Sequence, residues 1–310
     1  MVMLGTEDTF HQEGMAVKKI GALEAGGTKM VLAVYDETMN ELDRISLPTE
    51  DPSVTVPKMK AYFDGHQVDA LGVGSFGPLD LNPASPTYGN ITSTPKLKWR
   101  DYPLLRELLA GRNIPAAIDT DVNAAVIAEM ELGVARGCEN AVYMTIGTGI
   151  GGGVAVHGKT VHGLLHPEAG HILLQPHPED PNPRGVCPYH AGCLEGLAAG
   201  PAIGARIGGD ASLLPDDHPT FEIEAYYLAQ MCMNLTLTFS PEKIILGGGV
   251  MNRKSLFPMV RQKTLELLGG YIQVDRVINH MEEYIVPPML YPLSGLIGSY
   301  LLGKRALDGD

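Results

Sequence analysis

Two stretches of the chain share one pattern of hydrophobic and polar positions. In "KKIGALEAGGTKMVLAVYDE", residues 18–37, two apolar runs flank a glycine turn, and "NAVYMTIGTGIGGGVAVHG", residues 140–158, has the same layout. Apolar runs on both sides of a glycine turn predict β-hairpins. A layout that recurs about 120 residues later indicates a duplicated architecture, in which two related α/β domains face one cleft.

Apolar spacing and the residues that start or stop helices predict most of the other elements. Strands are predicted in "RISLPTE", "VDALGVGSFGP", "IPAAIDT" and "EKIILGGGV", and "EAGHILL" also has a strand pattern. Helices are predicted over residues 53–63 and 255–268 and in "YPLLRELLAG", "DVNAAVIAEMELGVARG", "EIEAYYLAQMCMNLTLTFS" and "SGLIGSYLLGKRALD". The "DVNAAV" helix is expected to begin at an acidic N-cap.

The charge and the cysteine content limit the class of protein. A net charge of -13 and a pI near 5.2 argue against binding to nucleic-acid phosphates or to an anionic membrane. No apolar run approaches the roughly 20 residues of a bilayer span, and the first residues lack a secretory signal, so we expect a cytoplasmic protein. In that reducing compartment, Cys138 and Cys232 are expected to be small core residues, whereas the closely spaced Cys187 and Cys193 indicate a metal site.

Three glycine-rich segments are candidates for nucleotide binding, because residues without a Cβ let backbone N–H groups approach a phosphate. They are Gly26, Gly27, Thr28 and Lys29; Gly147, Thr148, Gly149, Gly151, Gly152 and Gly153; and Gly247, Gly248 and Gly249. The third would lie under a base or ribose, and a plain structural turn is the alternative for each. The Walker A pattern is absent, and "GTGIGG" precedes a strand instead of the helix that a dinucleotide-binding unit requires.

Asp119 and Asp121 lie between a predicted strand and a predicted helix. Carboxylates at such a position are usually N-caps. At the edge of a cleft, near two phosphate loops, a carboxylate is also suited to accept the proton of a hydroxyl that attacks phosphorus. Both roles stay open at this point, and Asn123 is a residue that could orient that hydroxyl.

Cys187, His190 and Cys193 form a C-x2-H-x2-C pattern, and His171 lies sixteen residues before it. Two thiolates and two imidazoles make a complete tetrahedral set for a structural zinc ion. The apolar residues after His171 are expected to hold it more rigidly than three other histidines, which are assigned no function: His162, His166 and His177.

Two glutamates bracket the metal segment. Glu168 lies three residues before His171, and Glu195 lies two residues after Cys193. A zinc ion would fix both carboxylates, which would suit them to accept hydrogen bonds from sugar hydroxyls. Solvated surface carboxylates are the alternative.

Taken in order, these motifs resemble those of the ROK family of sugar kinases. The matching segments are "EAGGTK", "TDVNAA", "GTGIGGG", "EAGH", "CPYHAGC", "LEGLAAGPAI" and "ILGGGV", and they cover nearly the whole chain from about Lys18. The C-x2-H-x2-C form of the metal segment looks most like the zinc-containing fructokinase branch of that family.

The resemblance implies two actin-like, ribonuclease H-like α/β domains around a central cleft, with ATP and Mg²⁺ as cosubstrates and a structural Zn²⁺. It divides the chain into an N-terminal extension (1–17), a small domain (18–120), a larger domain with the zinc segment (121–292) and a C-terminal helix (293–310) that packs on the small domain. It also implies a homodimer.

The resemblance assigns a role to each candidate residue. Asp121 is the implied general base. The implied sugar contacts are Pro78, Asn123, Glu168, His171 and Glu195, and the implied zinc ligands are His171, Cys187, His190 and Cys193. The phosphates would be held by Gly26, Gly27, Thr28, Lys29, Thr148, Gly149 and Gly151, and the adenosine by Gly247, Gly248 and Gly249.

Departures from the family's glucokinases point away from glucose. Thr120 stands where they usually have Asn, and the metal segment is not cysteine-only after the histidine. Glu24 stands where many relatives have Asp, which leaves its contact with Mg²⁺ open. We therefore expect phosphorylation of D-fructose at its 6-hydroxyl.

The alternative functions are a kinase for mannose, glucose or an N-acetylhexosamine, a sugar-sensing regulator without turnover, and an interaction module built on the zinc segment. Repressors of the family carry an N-terminal DNA-binding domain, but here fewer than twenty residues precede the first strand and they are not basic, so we do not expect DNA binding by that route.

Overall fold

The chain forms two halves, each built on a five-stranded sheet. The structure, a computed structural model, describes residues 17–309, so almost all of the predicted N-terminal extension lies outside the described residues. The elements of the first half are β1 (Lys19–Ala25), β2 (Lys29–Asp36), β3 (Glu41–Pro48), α1 (Pro52–His66), β4 (Ala70–Ser75), α2 (Leu104–Leu109) and β5 (Ala116–Thr120).

The second half begins where β5 passes directly into a helix, α3 (Asp121–Glu131). Its remaining elements are β6 (Ala141–Ile146), β7 (Ile150–Val156), β8 (Lys159–Thr160), α4 (Leu194–Ala198), α5 (Gly200–Ile207), α6 (Thr220–Phe239), β9 (Lys243–Gly247), α7 (Leu256–Leu268), α8 (Asp275–Asn279), α9 (Met281–Tyr284), β10 (Ile285–Val286) and α10 (Ser294–Asp308).

Both sheets have the same topology. The strand order is β3-β2-β1-β4-β5 in the first sheet and β8-β7-β6-β9-β10 in the second. In each, the first three strands form an antiparallel meander, and the first strand also pairs in parallel with the fourth, which pairs in parallel with the fifth. The duplicated α/β architecture predicted from the two hairpins is therefore confirmed.

Each sheet has its own hydrophobic core, and α3 and α10 share a third. The first core includes Met59 and Phe63 of α1, and the second includes Tyr227 of α6. Helix α10 packs on β1, β4 and α3, so the last residues of the chain cover the first sheet. Because α3 contacts both sheets, the domain boundary between residues 120 and 121 stays a prediction.

Among residues 17–309, no helix has the length and apolar character needed to cross a bilayer.

One predicted strand is wrong, and several short elements were missed. In "EAGHILL", Ala169–His171 form a 3-10 turn, and only Leu173 makes a strand-like bridge, to Cys193. The turn packs against β7, where a side chain on Gly170 would overlap the Ile150 carbonyl. The missed elements, β8, α8, α9 and β10, have two to five residues each, which is too short for a hydrophobic period to be visible.

Glycines let α10 and α3 approach the first sheet and each other at backbone distance. A Cβ at Gly298 of α10 would overlap the backbone carbonyl of Ala124 in α3. At Gly74 of β4, a Cβ would lie 3.0 Å from the Cβ of Ala124 and 3.4 Å from the Cα of Asp121. The position of α3 therefore depends on residues that have no side chain.

Gly298→Ala should lower the free energy of unfolding by roughly 1–3 kcal/mol, because the added methyl group meets backbone that cannot turn aside. Gly65→Ala is the matched control, since Gly65 also lies in a helix but has no atom within 4 Å of the Cβ position. This control should stabilise the protein by up to about 1 kcal/mol through helix propensity. Urea denaturation measures both, and stabilisation by Gly298→Ala would contradict the packing described.

Candidate active site

The junction of β5 and α3 places a carboxylate where the two halves meet, at the predicted cleft, since α3 contacts β4 of the first sheet and β7 of the second. The Oγ1 of Thr120 accepts a hydrogen bond of 3.0 Å from the Asn123 backbone N–H, so Thr120 is the N-cap of α3. The prediction of an acidic N-cap is wrong, because the hydroxyl of Thr120 already satisfies that donor. Asp121 is the first helical residue, and its Oδ1 accepts from the Val122 N–H at 2.9 Å. Its carboxylate is thus not used for capping and is available to a ligand.

Burial shifts the ionisation of three carboxyl groups in this cleft, and neighbouring carboxylates add to the shift of two of them. Burial raises the pKa of Asp121 to about 6. The pKa of Glu24, at the end of β1, is raised to about 7, first by burial and then by the charge of Asp121, while Lys29 opposes the shift. The pKa of Glu168 is also raised to about 7, by burial and then by the charges of Glu195 and Asp121. Such a cleft favours ligands that bring hydrogen-bond donors or a cation.

Glu195 connects the second glycine turn to helix α4. Its Oε2 accepts a hydrogen bond of 2.9 Å from the Ile150 N–H, at the start of β7. A Cβ at Gly149 would lie 2.8 Å from the same oxygen, so only glycine leaves room for this contact. Glu195 is therefore fixed at the mouth of the turn that was predicted to hold a phosphate.

Asn123, a predicted sugar contact, has a buried side chain, and its contact with a sugar stays a prediction. Its side chain is fully buried, and its Nδ2 donates to the Oδ1 of Asp119 at 2.7 Å. The carboxylate of Asp119 also accepts from Thr160 Oγ1 at 3.0 Å and contacts His162 Nε2 at 3.1 Å. This hydrogen bond from His162 to Asp119 is the main cause of the raised pKa of His162. Asp119 and Asn123 thus form a buried polar cluster behind Asp121.

His166, like His162 a histidine that was assigned no function from the sequence, lies beside Glu168. His166 accepts a hydrogen bond of 3.1 Å from the Leu79 N–H, and its Nδ1 lies 3.5 Å from Glu168 Oε1. Leu79 follows Pro78, a predicted sugar contact, which is joined to Gly77 by a cis peptide bond. In the sequence, the only signal for His166 is its position two residues before Glu168, and that spacing alone does not predict a contact.

The first glycine segment forms the turn between β1 and β2, as predicted. The Gly26 N–H donates to the Lys29 carbonyl at 3.0 Å, and Thr28 and Lys29 are exposed. The second segment is only partly a turn. Gly147 and Gly149 form it, with Thr148 exposed, whereas Gly151, Gly152 and Gly153 belong to β7.

Gly151 therefore lies in a strand and not in the turn, and its contact with a phosphate stays a prediction. A Cβ at Gly151 would lie 3.2 Å from a methyl group of Val122, and one at Gly153 would overlap the Val122 carbonyl. Because Gly151 and Gly153 have no side chains, α3 can pack closely on β7. The sequence could not distinguish them from the turn glycines because both kinds occur in one run.

The third glycine segment ends β9. Gly247 is buried against Tyr143, Gly248 has a φ of +90°, and Gly249 is exposed with no atom within 4 Å of its Cβ position. Gly249 lies close to Gly147, since its backbone nitrogen is 3.9 Å from the Cβ position there. The second and third segments therefore border one region of the cleft, and Gly248 and Gly249 are the residues open to it.

His171, Cys187, His190 and Cys193 converge as predicted, with their donor atoms within 4.8 Å of one another. The Nδ1 of His171 lies 3.9 Å from Cys187 Sγ and 3.7 Å from Cys193 Sγ, and His190 Nδ1 lies 3.9 Å from Cys187 Sγ. A tetrahedral site with metal–sulfur and metal–nitrogen bonds of about 2.3 and 2.0 Å has sulfur–nitrogen edges of about 3.5 Å. The four residues therefore fit a four-coordinate metal ion.

Residues 20–306 match the model of the ROK family. The chain is similar to fructokinases of Pediococcus pentosaceus (47% identical, covering 93% of this chain and 98% of that protein) and Lactococcus lactis (42% identical, covering 91% and 96%). Among solved structures, it is similar to a ROK hexokinase from Thermus thermophilus, with a TM-score of 0.71 and 26% identity over 94% of this chain and 100% of that chain.

Proposed function

The chain belongs to the ROK family, and we propose that it is a sugar kinase that uses ATP to convert D-fructose into fructose 6-phosphate. The observation that carries this proposal is the carboxylate of Asp121, which is held in the cleft with hydrogen bonds only to backbone. The choice of fructose is supported by the fructokinases that are 47% and 42% identical to this chain over more than nine-tenths of its length.

Asp121 is the proposed general base. Its carboxylate accepts the proton of the sugar 6-hydroxyl as that oxygen forms a bond to the γ-phosphorus, while the bond from phosphorus to the oxygen of ADP breaks. Because its pKa is raised only to about 6, Asp121 is ionised at neutral pH and is a stronger base than an exposed aspartate.

The sugar lies against Glu168, Glu195 and His171 in this proposal. Carboxylates accept hydrogen bonds from sugar hydroxyls, and Glu168 and Glu195 provide acceptors on the second half of the cleft. Because His171 turns its Nδ1 to the thiols, its Nε2 is left for the sugar.

ATP lies across the glycine segments. Gly26, Gly27, Thr28 and Lys29 hold one side of the phosphates, Thr148 and Gly149 hold the other, and Gly248 and Gly249 lie under the adenosine. When bound, Mg²⁺ would neutralise charge on the phosphates, and Glu24 is the carboxylate proposed to hold it, because Glu24 lies near both Asp121 and Lys29.

The four-residue metal group holds zinc in this proposal, because two thiolates and two imidazoles suit that ion and leave no open position for catalysis. The ion would be structural. It would join the segment around Cys187 to the start of α4 and so fix Glu195. A cytoplasmic location and a homodimer belong to the same proposal.

A panel of sugars at equal concentration, each with ATP and Mg²⁺, tests the proposed substrate. D-Fructose should give the highest kcat/KM in a coupled assay for ADP, and ³¹P NMR should show the 6-phosphate. The control is the same assay with ATP and Mg²⁺ but without sugar, which gives the background ATPase rate. A preference for glucose, mannose or an N-acetylhexosamine would contradict fructose, and no ADP with any sugar would favour a sugar-sensing regulator.

The pH profile of kcat at saturating sugar and MgATP should report Asp121. In the unliganded cleft the pKa values of Glu24 and Glu168 are raised to about 7, so kcat/KM should begin to fall near that pH. Bound Mg²⁺ and sugar hydroxyls favour the ionised form of these glutamates, so kcat should be constant above the pKa of Asp121 and fall about tenfold per pH unit below about 6. Asp121→Asn should lower kcat about a hundredfold or more and abolish this acidic limb. Asp217→Asn, at an exposed position outside the cleft, is the control and should keep the wild-type rate and its acidic limb. Wild-type turnover in Asp121→Asn would exclude Asp121 as the base.

Metal analysis by plasma mass spectrometry should find one zinc ion per chain. Cys187→Ser should lose it, because a serine hydroxyl is a poor zinc ligand at neutral pH, whereas Cys138→Ser should retain it, since Cys138 lies outside the group. Zinc removal should also lower the thermal unfolding midpoint. Purified protein that binds no zinc when zinc is supplied in excess would refute this assignment.

A further inference from the structure

His166 is buried between two segments that come from different halves of the molecule. Its side chain is 4% exposed. On one side is the segment of residues 77–79, which follows β4 of the first sheet, and on the other is Glu168, which precedes the 3-10 turn that packs on β7 of the second sheet. His166 therefore bridges the two sides of the cleft.

The contact with residues 77–79 has two parts. The Leu79 N–H donates to His166 Nε2 at 3.1 Å. The ring also lies on Gly77, where a Cβ would be 3.2 Å from both Cε1 and Nε2. A side chain at position 77 would push the imidazole away, so glycine there is required for the ring to reach the Leu79 N–H. The same segment carries Pro78, whose carbonyl accepts from the Thr92 N–H at 2.7 Å.

This hydrogen bond decides which nitrogen of His166 carries the proton. A nitrogen that accepts from an N–H must present its lone pair, so Nε2 is unprotonated and the proton of the neutral ring is on Nδ1. Burial lowers the pKa of His166, which keeps the ring neutral at physiological pH. Nδ1 lies 3.5 Å from Glu168 Oε1, and the Pro167 carbonyl is a second acceptor beside the ring.

Glu168 needs such a partner. Its side chain is 37% exposed, and within residues 17–309 no hydrogen bond holds its carboxylate. The Nδ1 of His166, 3.5 Å from Oε1, is the nearest side-chain donor within ion-pair distance. This separation is longer than a normal hydrogen bond, and hydrogen bonds of binding sites often shorten when the ligand is present.

We propose that His166 is a positioning residue for sugar binding. Its Nδ1–H orients the Glu168 carboxylate, and the hydrogen bond at its Nε2 fixes the imidazole to residues 77–79. Sugar bound between Glu168 and Pro78 would then contact both residues, and the His166 imidazole would fix the distance between them. This inference rests on the proposed function, because it treats Glu168 as a sugar contact.

Three variants separate the two contacts. His166→Gln places an amide near the Nε2 position, so it can accept from the Leu79 N–H but loses the donor to Glu168. His166→Asn places an amide near the Nδ1 position and does the reverse. His166→Leu removes both. His157→Asn is the control, since His157 is an exposed residue of the hairpin between β7 and β8.

Steady-state kinetics with varied sugar and varied ATP give the readout. His166→Leu should raise the KM for the sugar about tenfold to a hundredfold, the loss expected for a hydrogen bond to a charged group. The KM for ATP should stay within about twofold, because His166 contacts no nucleotide-binding residue. His166→Gln and His166→Asn should show smaller increases than His166→Leu. An unchanged KM for sugar in His166→Leu, or equal increases in both KM values, would overturn the proposal.

The tautomer of His166 in the wild-type protein is a test that needs no active variant. A long-range ¹H–¹⁵N correlation spectrum of the folded protein should show a pyrrole-type Nδ1 and a pyridine-type Nε2 for this ring. A proton on Nε2 would overturn the proposal even if every variant failed to fold. An inactive wild-type protein with the expected tautomer would instead count against the proposed function alone.

Discussion

Direct backbone contact around the first turn of α3 is the constraint on which the rest of the site depends. Gly153 of β7 lies against the Val122 carbonyl, Gly298 of α10 against the Ala124 carbonyl, and Gly74 of β4 against Asp121 itself. Backbone atoms cannot rotate away as side chains do, so α3 is fixed relative to both sheets at once. Asp121, the first residue of that turn, therefore has one position with respect to both sides of the cleft.

The electrostatics of the cleft follow from this arrangement. Glu24, Glu168 and Glu195 surround Asp121, and burial together with like charges raises the pKa of two of these glutamates to about 7. Placing carboxylates together is unfavourable unless donors or cations arrive. Lys29, sugar hydroxyls and a divalent ion with the phosphates of ATP would supply them. The metal group adds rigidity, because Cys193 caps α4 through the Gly196 N–H, one residue beyond Glu195.

The sequence was sufficient to predict the two-fold α/β architecture, because each hairpin combines apolar strands with a glycine turn and these signals are local. The metal group was also predictable from the spacing of Cys187, His190 and Cys193. Contacts between distant segments were not predictable. The hydrogen bond from Asn123 to Asp119 was not expected, and His166 was assigned no role although it lies against Glu168. Both outcomes depend on how α3 and the segment before His171 pack, which no local pattern records.

The central claim is that the position of the Asp121 carboxylate, and not only its charge, makes it the base. The turnover number of Asp121→Glu tests this most directly, since glutamate has a similar intrinsic pKa but carries its carboxylate one methylene further from a fixed backbone. A displacement of about 1 Å costs on the order of a hundredfold in rate, so kcat should fall at least that far while the fold is retained. Turnover near that of the wild-type protein would contradict the claim.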